Sequence, residues 1–355
     1  MSKKNKNLKI ISLILSFIMG ITGTIYIYTY FKKTRLLKSP YNGSQVNFNS
    51  SSSADFEVRL HDNEDDLNKK INAIRNNKGD NKKISYILYS NILENPSLLE
   101  SEKKTLENFC QYFLDNRYLD HENVCRKLSS FIINENDETL LEENIGATYY
   151  DDNSITFSTQ ADRDNSLPHE LFHCIENKEL SYEKYAWLIE GYTCILNYEY
   201  FDNDFDGNNM KANFVRALCE IVNPNVLFEV SAKGNINYLV EALKEKGISE
   251  KDINELFDLC KNYNYVDSFS YEDTKEICVN IADCLVKMYN TAYSESNSVS
   301  NLFYNNLERI IDPNITTPYN YYYFNGSKKQ QNKQKKYTVS KDALYAFKRS
   351  DKILS

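Results

Sequence analysis

Hydrophobic residues recur at helical intervals along most of this chain. Ile84, Ile87, Leu88 and Ile92 form one group, Leu106, Phe109, Cys110 and Phe113 a second, and Val124, Leu128, Phe131 and Ile132 a third. Steps of three and four residues collect side chains on one helix face, so three short consecutive helices are predicted. The same period predicts helices over Pro168 to Glu176, Glu183 to Tyr200, Phe214 to Ile221, Ile236 to Lys246, Lys251 to Tyr263 and Tyr271 to Tyr289. The period shortens to two after Gly146, where ATYYDDNSITFST alternates on both sides of Asp151-Asp152-Asn153 and predicts two strands joined by a turn. The expected fold class is α+β, mainly helical with a small sheet, and no internal repeat is found.

The amino-terminal end follows a different rule. Ile10 to Phe31 are uncharged and mostly apolar, 22 residues that would reach about 33 Å as a helix, enough for a bilayer. Lys3, Lys4, Lys6 and Lys9 precede the run; Tyr26, Tyr28 and Tyr30 close it, with Lys32, Lys33 and Arg35 beyond. The length and the aromatic belt favour an uncleaved anchor over a cleaved signal peptide, whose apolar core is shorter and ends in a small-x-small exit. A short leading tail ordinarily stays inside, so a single-pass protein with its body outside the cell membrane is expected. The expected division is a cytoplasmic tail 1–9, an anchor 10–31, a Ser/Asn-rich and then acidic flexible stalk 32–82, a folded body 83–326 and a basic tail 327–355. That tail is expected to be disordered apart from a short helix around Leu344, Tyr345 and Phe347.

Composition narrows the function classes. The 355 residues carry 42 Lys+Arg against 50 Asp+Glu, with 41% hydrophobic residues, which fits a globular body and excludes a polytopic membrane protein. Both ends are basic, so residues 41–326 hold a charge of about −23. A body so acidic repels phosphate backbones, and nucleic acid is not expected as a partner. The eight cysteines, Cys110, Cys125, Cys174, Cys194, Cys219, Cys260, Cys278 and Cys284, contain no C-x-x-C pair. They fit buried apolar thiols, with disulfides optional in an exported chain of this size.

The chemistry concentrates in Ser166-Leu167-Pro168-His169-Glu170-Leu171-Phe172-His173, an H-E-x-x-H pattern that uses two of the four histidines. On a helix, His169 and His173 lie one turn apart on one face, where both imidazoles can bind one Zn²⁺, and Glu170 can act as general base toward a water on that metal. Asn165 or Ser166 is expected to cap this helix, with Pro168 in its first turn. A third ligand is required, and Glu190, 17 residues after His173 in Trp187-Leu188-Ile189-Glu190-Gly191-Tyr192-Thr193, is the candidate.

With these two motifs the chain resembles the gluzincin metallopeptidases, in particular the aminopeptidase N-like and thermolysin-like clan, whose third-ligand helix reads W-L-x-E-G-[FY]-[AT]. The similarity covers roughly Gly146 to Tyr200. It implies a zincin-like catalytic domain with a small mixed sheet, zinc held by His169, His173 and Glu190, Glu170 as the catalytic base, and a peptide or protein substrate. Gly146-Ala147-Thr148-Tyr149-Tyr150 stands where aminopeptidase N-like relatives have Gly-x-Met-Glu-Asn, without the glutamate that holds a free amino terminus. An endopeptidase is therefore expected rather than an aminopeptidase. The alternative is a catalytically inactive zincin-fold module that binds a peptide or surface partner. The oxyanion-stabilising residue is not identified by sequence; Tyr263, Tyr265 and Tyr271 are candidates, and His61 and His121 are poorly placed. Thermolysin-like relatives carry an acid at the position of Cys194 to orient a ligand histidine, and its absence leaves that partner open; Cys174 and Cys194 are expected to pack rather than to ligate.

Overall fold

Leu67, Ile71 and Ile74 stand on one face of the first helix among the described residues, α1 (Glu64–Asn76), and all three are buried in the core. A core-packed helix therefore lies inside the segment 32–82 that the sequence reads as a stalk. The acidic run Glu64, Asp65 and Asp66, which suggested a solvated linker, is the first turn of this helix, where carboxylates complement the helix dipole. The computed structural model describes residues 64–142, 146–149, 153–203, 209–263, 271–294, 298–312, 321–329 and 338–340. The tail 1–9, the anchor 10–31 and the remainder of the stalk lie outside the described residues. Among the described residues no helix is long and apolar enough to cross a membrane.

The first amphipathic group falls on α2 (Asn81–Glu94); the second lies just after α3 (Glu100–Thr105), on the turn Leu106–Asn108 and on α4 (Phe109–Asp115). The third begins on α5 (His121–Ser130), but Phe131 ends that helix in an extended conformation and Ile132 is already in a strand. Three strands follow, with the short helix α6 (Thr139–Glu142) between the first two: β1 (Ile132–Ile133), β2 (Ala147–Tyr149) and β3 (Ser154–Phe157). Their order is β1-β3-β2, with β1 parallel and β2 antiparallel to β3, so the small sheet is mixed as expected. β2 pairs with β3 antiparallel, Ala147 with Phe157 and Tyr149 with Ile155, as the alternating pattern predicts for the two strands; Asp151 and Asp152 of the expected turn lie outside the described residues.

Two long helices carry the centre of the molecule. α7 (Gln160–Ile175) packs against β2 and β3, and α8 (Tyr182–Phe201) lies against α7. From Ala186 to Tyr200 every residue of α8 is buried, so it is a core helix, with no polar face turned to water. Its other sides are covered by α9 (Met210–Cys219) and, further along the chain past α10 (Asn225–Lys233) and α11 (Asn237–Glu245), by α12 (Glu250–Tyr263). α9 approaches so closely at Gly191 that an added Cβ would lie 2.4 Å from the Lys211 carbonyl oxygen and 2.8 Å from Val215 Cγ2. The remaining elements are α13 (Tyr271–Ala292), β4 (Ser298–Ser300), α14 (Asn301–Ile311), α15 (Gly326–Lys329) and β5 (Thr338–Ser340). α10 and α14 were not predicted. β5 lies in the tail expected to be disordered, where it pairs antiparallel with β4.

A strap closes the far end of α8. Glu199 is fully buried, and its carboxylate accepts the backbone N–H groups of Tyr323 and Phe324, both at 2.6 Å, and of Asn325 at 2.9 Å. Asn325 donates its side-chain amide back to the Glu199 carbonyl at 2.7 Å. Phe324 then inserts edge-on against Tyr192, with ring centroids 5.4 Å apart, which brings the strap within two residues of Glu190. None of the eight cysteines is in a disulfide; Cys110 is half-buried and the other seven are buried.

Candidate metal centre

The helix that presents the two histidines is longer than the sequence suggests. Thr159 caps it by accepting the Asp162 N–H at 3.1 Å, and the Asp162 carboxylate accepts the hydroxyls of Ser158 and Thr159 in return. Asn165, Ser166 and Pro168 are therefore interior, which corrects the expected start. Pro168 is tolerated because its fixed φ suits a helix, and the carbonyl deprived of its usual donor belongs to Asp164, on the exposed side. The extra turns are anchored from outside: Arg163 makes a bidentate pair with Glu102, at 2.5 and 2.8 Å, and reaches the Ser97 carbonyl at 2.9 Å. The α7 axis is thereby fixed against the α3 region before it reaches the histidines.

His169, His173 and Glu190 meet in the core, each at most 4% exposed. The two Nε2 atoms are 3.1 Å apart, and each lies 3.5 Å from one Glu190 oxygen, His169 from Oε2 and His173 from Oε1. One nitrogen or oxygen from each side chain falls within 4.8 Å of the others, and among the described residues no other group of His, Cys, Asp or Glu meets this criterion. Two neutral imidazoles and a carboxylate from adjacent helices make a His₂Glu donor set, the kind that binds a divalent metal and leaves a coordination position open.

The electrostatics agree with a cation at this point. Burial alone would lower the affinity of His173 for a proton, but the carboxylates of Glu190 and Glu176 outweigh it and push its pKa up to about 10. Burial likewise opposes ionisation of Glu190, yet the two histidines hold it well below the usual carboxylate range. In the absence of a metal the cluster keeps a proton where a metal ion would sit, which is what a carboxylate buried beside two imidazoles requires.

Glu170 follows His169 and is fully buried. Its charge is felt at the hydroxyl of Tyr182, which burial, Glu190, Glu170 and Glu176 together push well above the usual phenol range. Tyr182, half-buried at the start of α8, donates its hydroxyl to Glu190 Oε1 at 2.8 Å. This tyrosine reaches the candidate donor set directly, and sequence reasoning missed it. Tyr263 instead ends α12 with its ring edge-on to Phe214 at 5.0 Å; Tyr265 and the Tyr271 side chain lie outside the described residues.

The half-buried carboxylate of Glu176, just past the end of α7, was also missed. Its Oε2 lies 3.2 Å from His173 Nδ1, and its Oε1 accepts the Thr193 hydroxyl at 3.1 Å. Cys174 points elsewhere, donating to Asn153 Oδ1 at 3.1 Å, and Cys194 is buried outside the ligand group. Trp187 is buried against Phe257, with ring centroids 5.7 Å apart, and so supports α8 from behind. No protein-family model, curated protein or solved structure matches this chain.

Proposed function

We propose that this chain is a membrane-anchored, zinc-dependent peptidase that hydrolyses internal peptide bonds outside the cytoplasmic membrane. The observation that carries the reading is the convergence of His169, His173 and Glu190 from two helices in the core, with Glu170, next to His169 in the chain, fully buried. The donor set fits zinc, which takes imidazole and carboxylate ligands in fourfold coordination with one position left for water or substrate. Zinc held there supplies Lewis acidity and lowers the pKa of a water toward neutrality.

The protein's own groups do the rest. His169, His173 and Glu190 hold the metal, and Tyr182 fixes one oxygen of Glu190. Glu170 accepts the proton of the attacking water on its carboxylate and returns it to the departing amine nitrogen, so the group ends each cycle as it began. Support for an endopeptidase rests on the segment Gly146 to Tyr149, which offers no carboxylate to a free amino terminus; Ala147, Thr148 and Tyr149 are all buried. The anchor 10–31 supports the location.

The test is cleavage of a peptide library by the full chain in detergent, beside Glu170→Gln. The wild type is expected to cut within peptides, while the variant keeps its zinc and loses at least about a hundredfold in rate. Equal rates in the two proteins, or zinc without cleavage by either, would refute the peptidase.

A further inference from the structure

Resting on that reading, we propose that Glu176 and Thr193 form the positioning device of the metal centre, fixing the tautomer of His173 and locking α7 and α8 in register. Glu176 lies three residues after His173, and Thr193 three residues after Glu190. On each helix the later residue stands nearly one turn along the same face. The two helices are therefore joined by two successive rungs: His173 to Glu190 at 3.5 Å, then Glu176 to Thr193 at 3.1 Å. The 3.2 Å contact with Glu176 gives the Nδ1 proton of His173 a carboxylate acceptor, so the ring can keep that proton while Nε2, on the Glu190 and His169 side, gives up its own to a metal ion.

The backbone around Glu176 is held so that its side chain can do this. α7 ends there, with Glu176 in an extended conformation (φ −58°, ψ 151°) that turns the side chain back along the helix. The Lys127 ammonium from α5 bonds the Glu176 carbonyl and reaches that of Ile175 at 3.4 Å, and the next residue, Asn177, donates its N–H to Ser231 of α10 at 3.1 Å. A carboxylate at a helix C-terminus is opposed by the helix dipole, so its placement here calls for partners, which His173 Nδ1, Thr193 and the nearby Lys127 provide. The acid directly follows the helix that carries the two histidines, whereas Cys194 occupies the position on the Glu190 helix where relatives in the resembling clan carry theirs.

The test compares zinc affinity, by chelator competition, and the visible spectrum of the Co²⁺-substituted protein for wild type, Glu176→Ala, Glu176→Gln and Thr193→Val. Glu176→Ala is expected to weaken zinc binding about 10- to 100-fold and to shift the cobalt bands. Glu176→Gln, whose amide can accept from His173 while donating to Thr193, is expected to restore most of both. Thr193→Val, nearly isosteric, is expected to weaken zinc severalfold and carries the test if the alanine variant does not fold. Zinc affinity within twofold of wild type in folded Glu176→Ala, or in Thr193→Val should the alanine variant not fold, would overturn the positioning role and leave the peptidase standing. Failure of the wild type to bind zinc would overturn both.

Discussion

Tyr182 donates its hydroxyl to Oε1 of Glu190 at 2.8 Å, so the carboxylate that completes the candidate His₂Glu donor set is held by a residue of its own helix. On a regular helix, residues eight apart lie about 80° from facing each other. The backbone breaks at Tyr185, between the two, where φ is −126° and ψ 19°, and that break gives the first turn of α8 its own orientation. Replacing Tyr182 by Phe removes the hydrogen bond and keeps the ring. Turnover of a cleaved peptide is expected to fall about 10- to 100-fold with zinc content unchanged. Turnover equal to wild type would show that Tyr182 only packs.

Gly191, next to Glu190, permits the close contact of α9 with α8. In Gly191→Ala the added methyl meets the Lys211 carbonyl oxygen at 2.4 Å, and a backbone atom cannot swing aside as a flexible side chain would. α9 must move, and a loss of about 1–3 kcal/mol in urea-induced unfolding is expected. A change below about 0.5 kcal/mol would mean that the interface is looser than the structure shows.

Much of this was legible in the sequence. The H-E-x-x-H spacing and the later W-L-I-E-G-Y-T segment contain their geometry, because a helix puts residues four apart on one side, and both segments are helical and buried. What was not legible depended on distance in three dimensions. Pro168 read as a first-turn residue because nothing local reveals that Arg163 would be tied to Glu102, 61 residues away. Glu176 was readable in principle, one turn past His173, but its role needs Thr193 from the next helix. Residues 64–76 read as stalk because the Ser/Asn-rich and then acidic text from Ser39 to about Asp66 offers no apolar period, although Leu67, Ile71 and Ile74 just beyond it carry a helical one. Tyr182 was hidden by the break at Tyr185, which no spacing rule anticipates.

The metal-free protein should lose stability as pH rises. His173 has a folded pKa raised to about 10 from an ordinary 6.5, so its contribution is complete below pH 6.5 and lost as pH climbs toward 10. Glu199, raised to about 7 by burial against the opposing effect of the three strap N–H groups, acts in the same direction between pH 4.5 and 7. Glu190, depressed in the fold, contributes above its ordinary 4.5 and loses that contribution only as pH falls through its lowered value. Urea midpoints of metal-free protein are therefore expected to fall from pH 6.5 to 10, and saturating zinc, which displaces the His173 proton, should flatten that decline. A metal-free midpoint that rises over this range would contradict the buried His–Glu coupling.

The strap depends on a carboxylate that accepts three N–H groups. Glu199→Gln substitutes a donor for one acceptor and leaves at least one buried N–H facing an amide NH₂. A loss of about 1–3 kcal/mol is expected, measurable by thermal unfolding, along with faster hydrogen exchange at Tyr323 to Asn325. Unchanged exchange at those three amides would show that the strap is held by Phe324 packing alone.

The central claim, that His169, His173 and Glu190 hold one metal ion, is tested most directly by elemental analysis of the full chain purified without chelator. One zinc per chain is predicted, with less than about a tenth of that remaining in Glu190→Ala and in His169→Ala. Absence of zinc from the wild type, or zinc retained in full by both variants, would contradict the account.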